Sequence, residues 1–307
     1  MFIISPRIGL CNQLQTIIKG ILLAIKYNRD IYINQFQIDL KSGKLTDINK
    51  ILNIHEINQF LENTIKTPIK ILTDIDANII NKLEEYCLPN IDYKNIATNV
   101  YINDDIELNR HMEIIYLGNI VSLDTNKSFN CKWGEYTDTN FYYLVMNNII
   151  FHPTFYTLKD VIKQELKLTN FNCIHLRIED DALKHFSYCY KLSIEDYNKK
   201  IIDFYENAIT NILSPDQKIY MCSGMLEFDN TINLTYYENL MKNTLLCDKK
   251  NIVLDDYYLH NRELIAIIDL LISLDSDFFV GCHISSFSQV INAHHKYYNK
   301  NSILFHL

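Results

Sequence analysis

Three polar clusters in the second half of this 307-residue sequence carry residue types suited to holding an anion. His175-Leu176-Arg177-Ile178-Glu179-Asp180 follows the apolar run Phe171 to Ile174, Cys222-Ser223-Gly224 follows Lys218 to Met221, and Gly281-Cys282-His283-Ile284-Ser285-Ser286-Phe287-Ser288 joins Phe278-Phe279-Val280 to a helix-patterned stretch. An arginine offers a planar, permanently charged fork. Serines at a helix start lie beside free N–H groups and the positive end of the helix dipole. An arginine facing such a helix start makes a two-sided clamp for a phosphate or diphosphate. The same residues also have plainer uses, Arg177 in an inter-element ion pair and Ser285-Ser286 as an ordinary cap. Their types alone leave both readings open.

What must position these clusters is a sheet, because ligands of open α/β sheets bind beyond the carboxyl ends of the strands. From residue 169 short apolar runs alternate with helical periodicity. The pattern predicts strands at Phe171–Leu176, Lys218–Cys222, Ile252–Leu254, Phe278–Val280 and Ser302–Phe305, with helices near 193–213, 262–274 and 286–294. Such alternation means a parallel sheet covered on both faces. The start reads as strand Phe2–Ser5, helix Asn12–Tyr27 and strand Ile31–Ile33. Between 34 and 168 the pattern is less regular, with helix-like stretches at Thr46–Leu61, Ala77–Cys87 and Leu158–Leu168. The expected class is α/β with two domains, 1–168 and 169–307.

A net charge of −8 and the lack of any long basic stripe exclude a general nucleic-acid binder. No stretch reads as a signal peptide or membrane span, which leads to an expectation of a cytoplasmic chain without a membrane-spanning segment. The eight cysteines show no zinc-ligand spacing, and Cys173 and Cys222 lie in apolar runs, so free buried thiols are expected.

Four segments, in order, resemble motifs of the fucosyltransferase superfamily that includes α1,2-, core α1,6- and protein O-fucosyltransferases. Gly9-Leu10-Cys11-Asn12-Gln13-Leu14 is similar to its opening G-x-x-N-Q loop, and His175-Leu176-Arg177 with Asp180 to its H-x-R-x-x-D motif. Leu192-Ser193-Ile194-Glu195-Asp196-Tyr197 is similar to the segment starting the next helix. Asp269, then Asp277-Phe278-Phe279-Val280-Gly281 and Ser285-Ser286-Phe287-Ser288, resembles the third motif. Residues 34–168 carry no nameable resemblance. Two departures stand out: Ile178-Glu179 replaces a basic residue and a glycine common in α1,2-type enzymes, and Cys11 replaces a small glycine before Asn12.

The resemblance implies a GT-B-like fold, two Rossmann-like domains facing across a cleft. The first, 1–168, would be the acceptor side and the second, 169–307, would bind the nucleotide sugar. It implies an inverting transferase moving L-fucose from GDP-fucose to a glycan or protein hydroxyl, with a glycan or glycoprotein as acceptor partner. No cofactor and no obligatory metal is expected; another GDP-sugar donor, or a non-catalytic nucleotide- or glycan-binding protein, is the alternative. Carried over by position, Arg177 would hold the β-phosphate and the departing oxygen. His175 and Asp269 would lie near the guanine, with Asp269 accepting from N1 and N2. Ser285, Ser286 and Phe287 would line the diphosphate, Asp180 would orient Arg177 or its loop, and Asn12 would face the sugar or the acceptor hydroxyl. Glu179, Asp181 and His185 are the nearby candidates for a base. Asp275 and Asp277 read as a solvated turn, Asp104-Asp105 as a loop, His294-His295 as helix-end surface, and Trp133 as either an acceptor stack or core.

Overall fold

The computed structural model describes residues 1–88, 102–120, 138–225, 230–249, 252 and 255–307; Trp133 lies outside them. The chain forms two compact units, Met1–Pro153 and Thr154–Leu307. The helix Pro153–Glu165 falls with the second unit: its Lys159 and Lys163 reach Asp275 at 3.0 and 2.7 Å, and Phe155 meets Tyr258 edge-on. Asp275 is thus an ion-paired helix end rather than a solvated turn.

The first unit is built on strands β1 (Phe2–Ile4), β2 (Ile31–Tyr32), β5 (Ile71–Leu72) and β6 (Ile115–Gly118), in the order β5-β2-β1-β6, all pairs parallel. The short strands β3 (Gln35–Gln37) and β4 (Leu45–Asp47) form a separate antiparallel ribbon, so the helix expected from Thr46 begins only at Ile54. Helix Leu10–Tyr27 follows β1 and is buried on every side from Thr16 to Ala24, as befits a run dense in Ile and Leu. Asn28 ends it in the left-handed region, its N–H closing on Ala24 O and Ile25 O. Gly20 lets this helix approach the sheet, since a Cβ there would lie 2.6 Å from Ile31 Cδ1. Asp104 and Asp105 stand on the helix Ile102–Leu108, not in a loop.

The second unit has five parallel strands, β7 (Phe171–His175), β8 (Lys218–Cys222), β9 (Leu246–Cys247), β10 (Phe278–Cys282) and β11 (Asn301–Phe305), ordered β11-β10-β7-β8-β9. The edge strand is Leu246–Cys247; of the segment expected as a strand at 252–254, Ile252 lies in a bend and the others fall outside the described residues. Helix Asp180–Tyr190, unread in the sequence, packs Leu183 and Phe186 into a core with Tyr197, Ile201, Tyr205, Ile174 and Val280. Full burial of such side chains contributes roughly 1.5–3 kcal/mol each. His295 is fully buried, its ring nitrogens 3.0 and 3.1 Å from Asn301 O and Ser273 O, which corrects the surface reading of that pair. Chain direction puts β8 and β9 to one side of β7 and β10 and β11 to the other. The topological switch point therefore lies between the carboxyl ends of β7 and β10.

Candidate functional site

His175 ends β7 at this switch point, and its Nδ1 lies 2.8 Å from Ser288 Oγ on the helix Ser286–Tyr297 that follows β10. Ser288 Oγ also accepts from Cys282 N–H at 3.0 Å, and Phe287 packs against the imidazole with ring centroids 4.7 Å apart. Gly281 is required here: a Cβ would meet Ser288 Oγ at 2.5 Å. Burial, with the charges of Arg177 and Arg262 adding to it, lowers the His175 pKa to about 3, so the ring is neutral. The predicted set His175, Phe287, Ser285 and Ser286 thus comes together. Ser285 precedes the helix without a side-chain hydrogen bond, so its hydroxyl does not cap the first-turn N–H groups.

Arg177 leaves the strand two residues later. Tyr205 fixes the backbone on either side, its hydroxyl donating to His175 O at 2.7 Å and accepting from Arg177 N–H at 3.2 Å. The Arg177 guanidinium has Nη1 2.9 Å from Glu179 Oε2 and Nη2 3.2 Å from Asp181 Oδ2, and it lies over the Phe186 ring. Burial opposes its charge, but the two carboxylates outweigh that and raise its pKa above the ordinary arginine value. Asp180 does not touch Arg177 among its hydrogen bonds. It accepts instead from Thr231 N–H, Thr231 Oγ1–H and Ile232 N–H, while its own N–H donates to Asn230 Oδ1. Asp180 is therefore engaged with the loop at 230–232 rather than with Arg177. These hydrogen bonds outweigh burial and lower its pKa.

Glu179 and Asp181, two of the three base candidates, are therefore engaged with Arg177. His185 lies near the exposed Cys189 at 3.8 Å. Asp269 is buried on helix Arg262–Asp275, with Oδ1 accepting from Tyr220 Oη and Oδ2 from Lys249 Nζ, both at 2.6 Å. One lone pair on each oxygen is thereby used, and each keeps a second. Asn12 stands in the first unit, half-buried on the first turn of its helix with N–H donating to Gly9 O. The loop before it is held by amides: Gln13 Nε2 donates to Ile8 O and Gln37 O, and Ile8 N–H donates to Gln37 Oε1. Ile8 adopts φ 76°, which a β-branched residue holds only under such constraint.

Sequence reasoning missed Tyr205, Lys249 and Arg262. Tyr205 was legible only as one more apolar helix position. Arg262 looked like a helix start, yet its charge reaches His175. Among the described residues no group of three or more His, Cys, Asp or Glu is arranged to hold a metal ion, and no helix is long and apolar enough to cross a membrane.

Two α/β units, each built on a parallel sheet, form an architecture of the GT-B-like class. Solved fucosyltransferases share that fold. POFUT1 in complex with GDP-fucose is 12% identical with a TM-score of 0.60, over 100% of this chain and 98% of that one. Fucosyltransferase NodZ from Bradyrhizobium is 14% identical with a TM-score of 0.57, over 95% and 91%. NodZ α-1,6-fucosyltransferase co-crystallised with GDP is 13% identical with a TM-score of 0.55, over 95% and 91%. No curated protein sequence matches the chain. The family model for GDP-fucose protein O-fucosyltransferase matches residues 86–298, which includes much of the stretch without readable motifs. The chain belongs to this family and is a fucosyltransferase enzyme.

Proposed function

We propose that the second unit binds GDP-fucose at the β7/β10 switch point and that the enzyme transfers fucose with inversion to a hydroxyl of a protein or glycan. The acceptor oxygen attacks the anomeric carbon, the bond from that carbon to the β-phosphate oxygen breaks with its electron pair passing to GDP, and the acceptor's hydroxyl proton is released to solvent. Arg177 and the N-terminus of helix Ser286–Tyr297 stabilise this growing charge, so no metal is needed for that step. Asp269 accepts from guanine N1 and N2 through its remaining lone pairs, with His175 beside the base. The second unit is the donor side and the first the acceptor side, with Asn12 facing the sugar or acceptor. Free thiols at all seven described cysteines support a reducing compartment, in keeping with a cytoplasmic enzyme.

The observation that carries the reading is the location of charged Arg177 at the same switch point as a helix N-terminus without a side-chain cap. Thermal-shift measurements with GDP, UDP and ADP test it: GDP raises the melting temperature most, and no shift with GDP refutes the donor site. Arg177→Lys keeps a cation beside Glu179 but loses the planar fork. Turnover of GDP-fucose in that variant should fall about 100-fold; retained turnover would remove Arg177 from its role.

A further inference from the structure

We infer that Glu179 is a positioning residue for the transfer: it holds the Arg177 guanidinium in place, while Asp181 occupies the position that the donor's phosphate takes. The inference rests on Arg177 as the diphosphate-binding residue. The two acids that flank Arg177 are built differently. Glu179 is only 1% exposed, and its Oε1 accepts from Gly224 N–H at 2.7 Å, which ties it to the loop after β8. Its Oε2 lies 2.9 Å from Nη1 yet off the line of a hydrogen bond, and that buried oxygen has no other partner. The attraction is close and shielded from water, so it fixes where the guanidinium sits. Asp181, with a side chain 61% exposed, meets Nη1 and Nη2 at 3.5 and 3.2 Å. Those contacts are longer than the roughly 2.7–2.9 Å of a strong charge-assisted hydrogen bond.

A diphosphate therefore displaces Asp181 more readily than Glu179. Asp181 is an exposed carboxylate whose charge water and salt screen. Glu179 remains beneath the arginine, so the guanidinium meets the β-phosphate from a fixed side. The same geometry removes Glu179 from the candidates for a base. One oxygen holds Gly224 N–H, the other faces Arg177, and neither is open to an acceptor hydroxyl.

The test measures steady-state hydrolysis of GDP-fucose, with GDP affinity read separately by calorimetry, on wild type, Glu179→Gln, Glu179→Asp and Asp181→Asn. Glu179→Gln should lower kcat about 10- to 100-fold, because a misplaced group costs turnover, while KM stays within about threefold. Glu179→Asp, which restores the charge on a shorter stem, should recover part of that loss. Asp181→Asn should act on KM, lowering it about two- to fivefold as the phosphate loses a competitor. If Glu179→Gln does not fold, Glu179→Asp carries the test, with a kcat loss at retained GDP affinity as the supporting result. Glu179→Gln turnover within about twofold of wild type, or a loss that falls entirely on KM, overturns the inference and leaves the donor site standing. A wild-type protein that neither binds GDP nor hydrolyses GDP-fucose overturns the donor site itself, and this inference with it.

Discussion

Each unit has its own switch point, and the two are held by opposite chemistry. In the first unit the reversal lies between β1 and β6, where Ser5 N–H donates to Gly118 O at 2.9 Å and the following loop is gripped by the neutral amides of Gln13 and Gln37. Its cation, Arg7, donates to Pro6 O at 3.0 Å, and burial lowers its pKa, with Tyr116 the counteracting influence. In the second unit the reversal lies between β7 and β10, and its arginine is gripped by two carboxylates that raise its pKa. Amides fix a backbone shape without adding net charge. Carboxylates fix a cation and offset the cost of burying its charge. One edge is therefore organised as a shaped surface and the other as a charged one, matching the acceptor and donor roles proposed for them.

Five substitutions can break or sharpen that contrast. Arg177→Ala should do the most: besides losing transfer, it leaves Glu179 buried without its counter-charge, a cost of about 3–5 kcal/mol that urea unfolding would register. An Arg177→Ala protein as stable as wild type would mean the charged edge is not structurally coupled. Gln13→Ala comes next. It strips partners from Ile8 O, Gln37 O and Gln37 N–H, and about 1–3 kcal/mol should be lost, visible as faster hydrogen exchange in the first unit.

The glycines give a matched pair. Gly281→Ala forces Ser288 Oγ and the Phe279 ring apart and should cost about 1–3 kcal/mol, whereas Gly20→Ala meets only the turnable ends of the buried Ile31 and Ile4 side chains and gains helix propensity, for a smaller cost of about 1 kcal/mol or less. Equal melting shifts in the two variants would show that the second switch point is no more tightly packed than the first.

A further effect concerns pH. His175 has a folded-state pKa of about 3, below its unfolded value, so its neutral burial stabilises the chain above about pH 6.5 and that stability is lost as pH falls. His294, pushed down to about 4 by burial and its charged neighbours, adds to the same slope. Replacing His175 with Gln should remove about 1.4 kcal/mol per pH unit from the slope between roughly pH 6 and 4. An unchanged slope in a melting series over that range would mean the ring is not buried neutral.

The second sheet was legible because Phe171–Ile174 and Phe278–Val280 are apolar runs with polar residues at their ends, as doubly covered strands require. Edge strand Leu246–Cys247 was not, since two residues carry no period. Helix Asp180–Tyr190 was hidden because its buried positions Ala182, Leu183 and Phe186 are diluted by Asp, Lys, His and Ser. At the site, spacing brought His175, Arg177 and Ser285–Phe287 to one edge, but it linked Arg177 with Asp180. The chain turns into a helix after Glu179, which puts the i+4 residue Asp181 beside Arg177 and sends Asp180 to the loop at 230–232. No linear pattern contains that turn. Lys249 and Arg262 escaped for the same reason, their roles being set by where other strands end.

The burial of Glu179 also determines how the enzyme responds to ionic strength. Mobile ions screen exposed charges over about 10 Å at 0.1 M but reach a buried pair far less. Salt should thus loosen Asp181 and compete with the donor's phosphates, yet leave the Glu179–Arg177 pair intact. A crowded electrolyte would weaken how often the donor is captured without disturbing the arginine that awaits it.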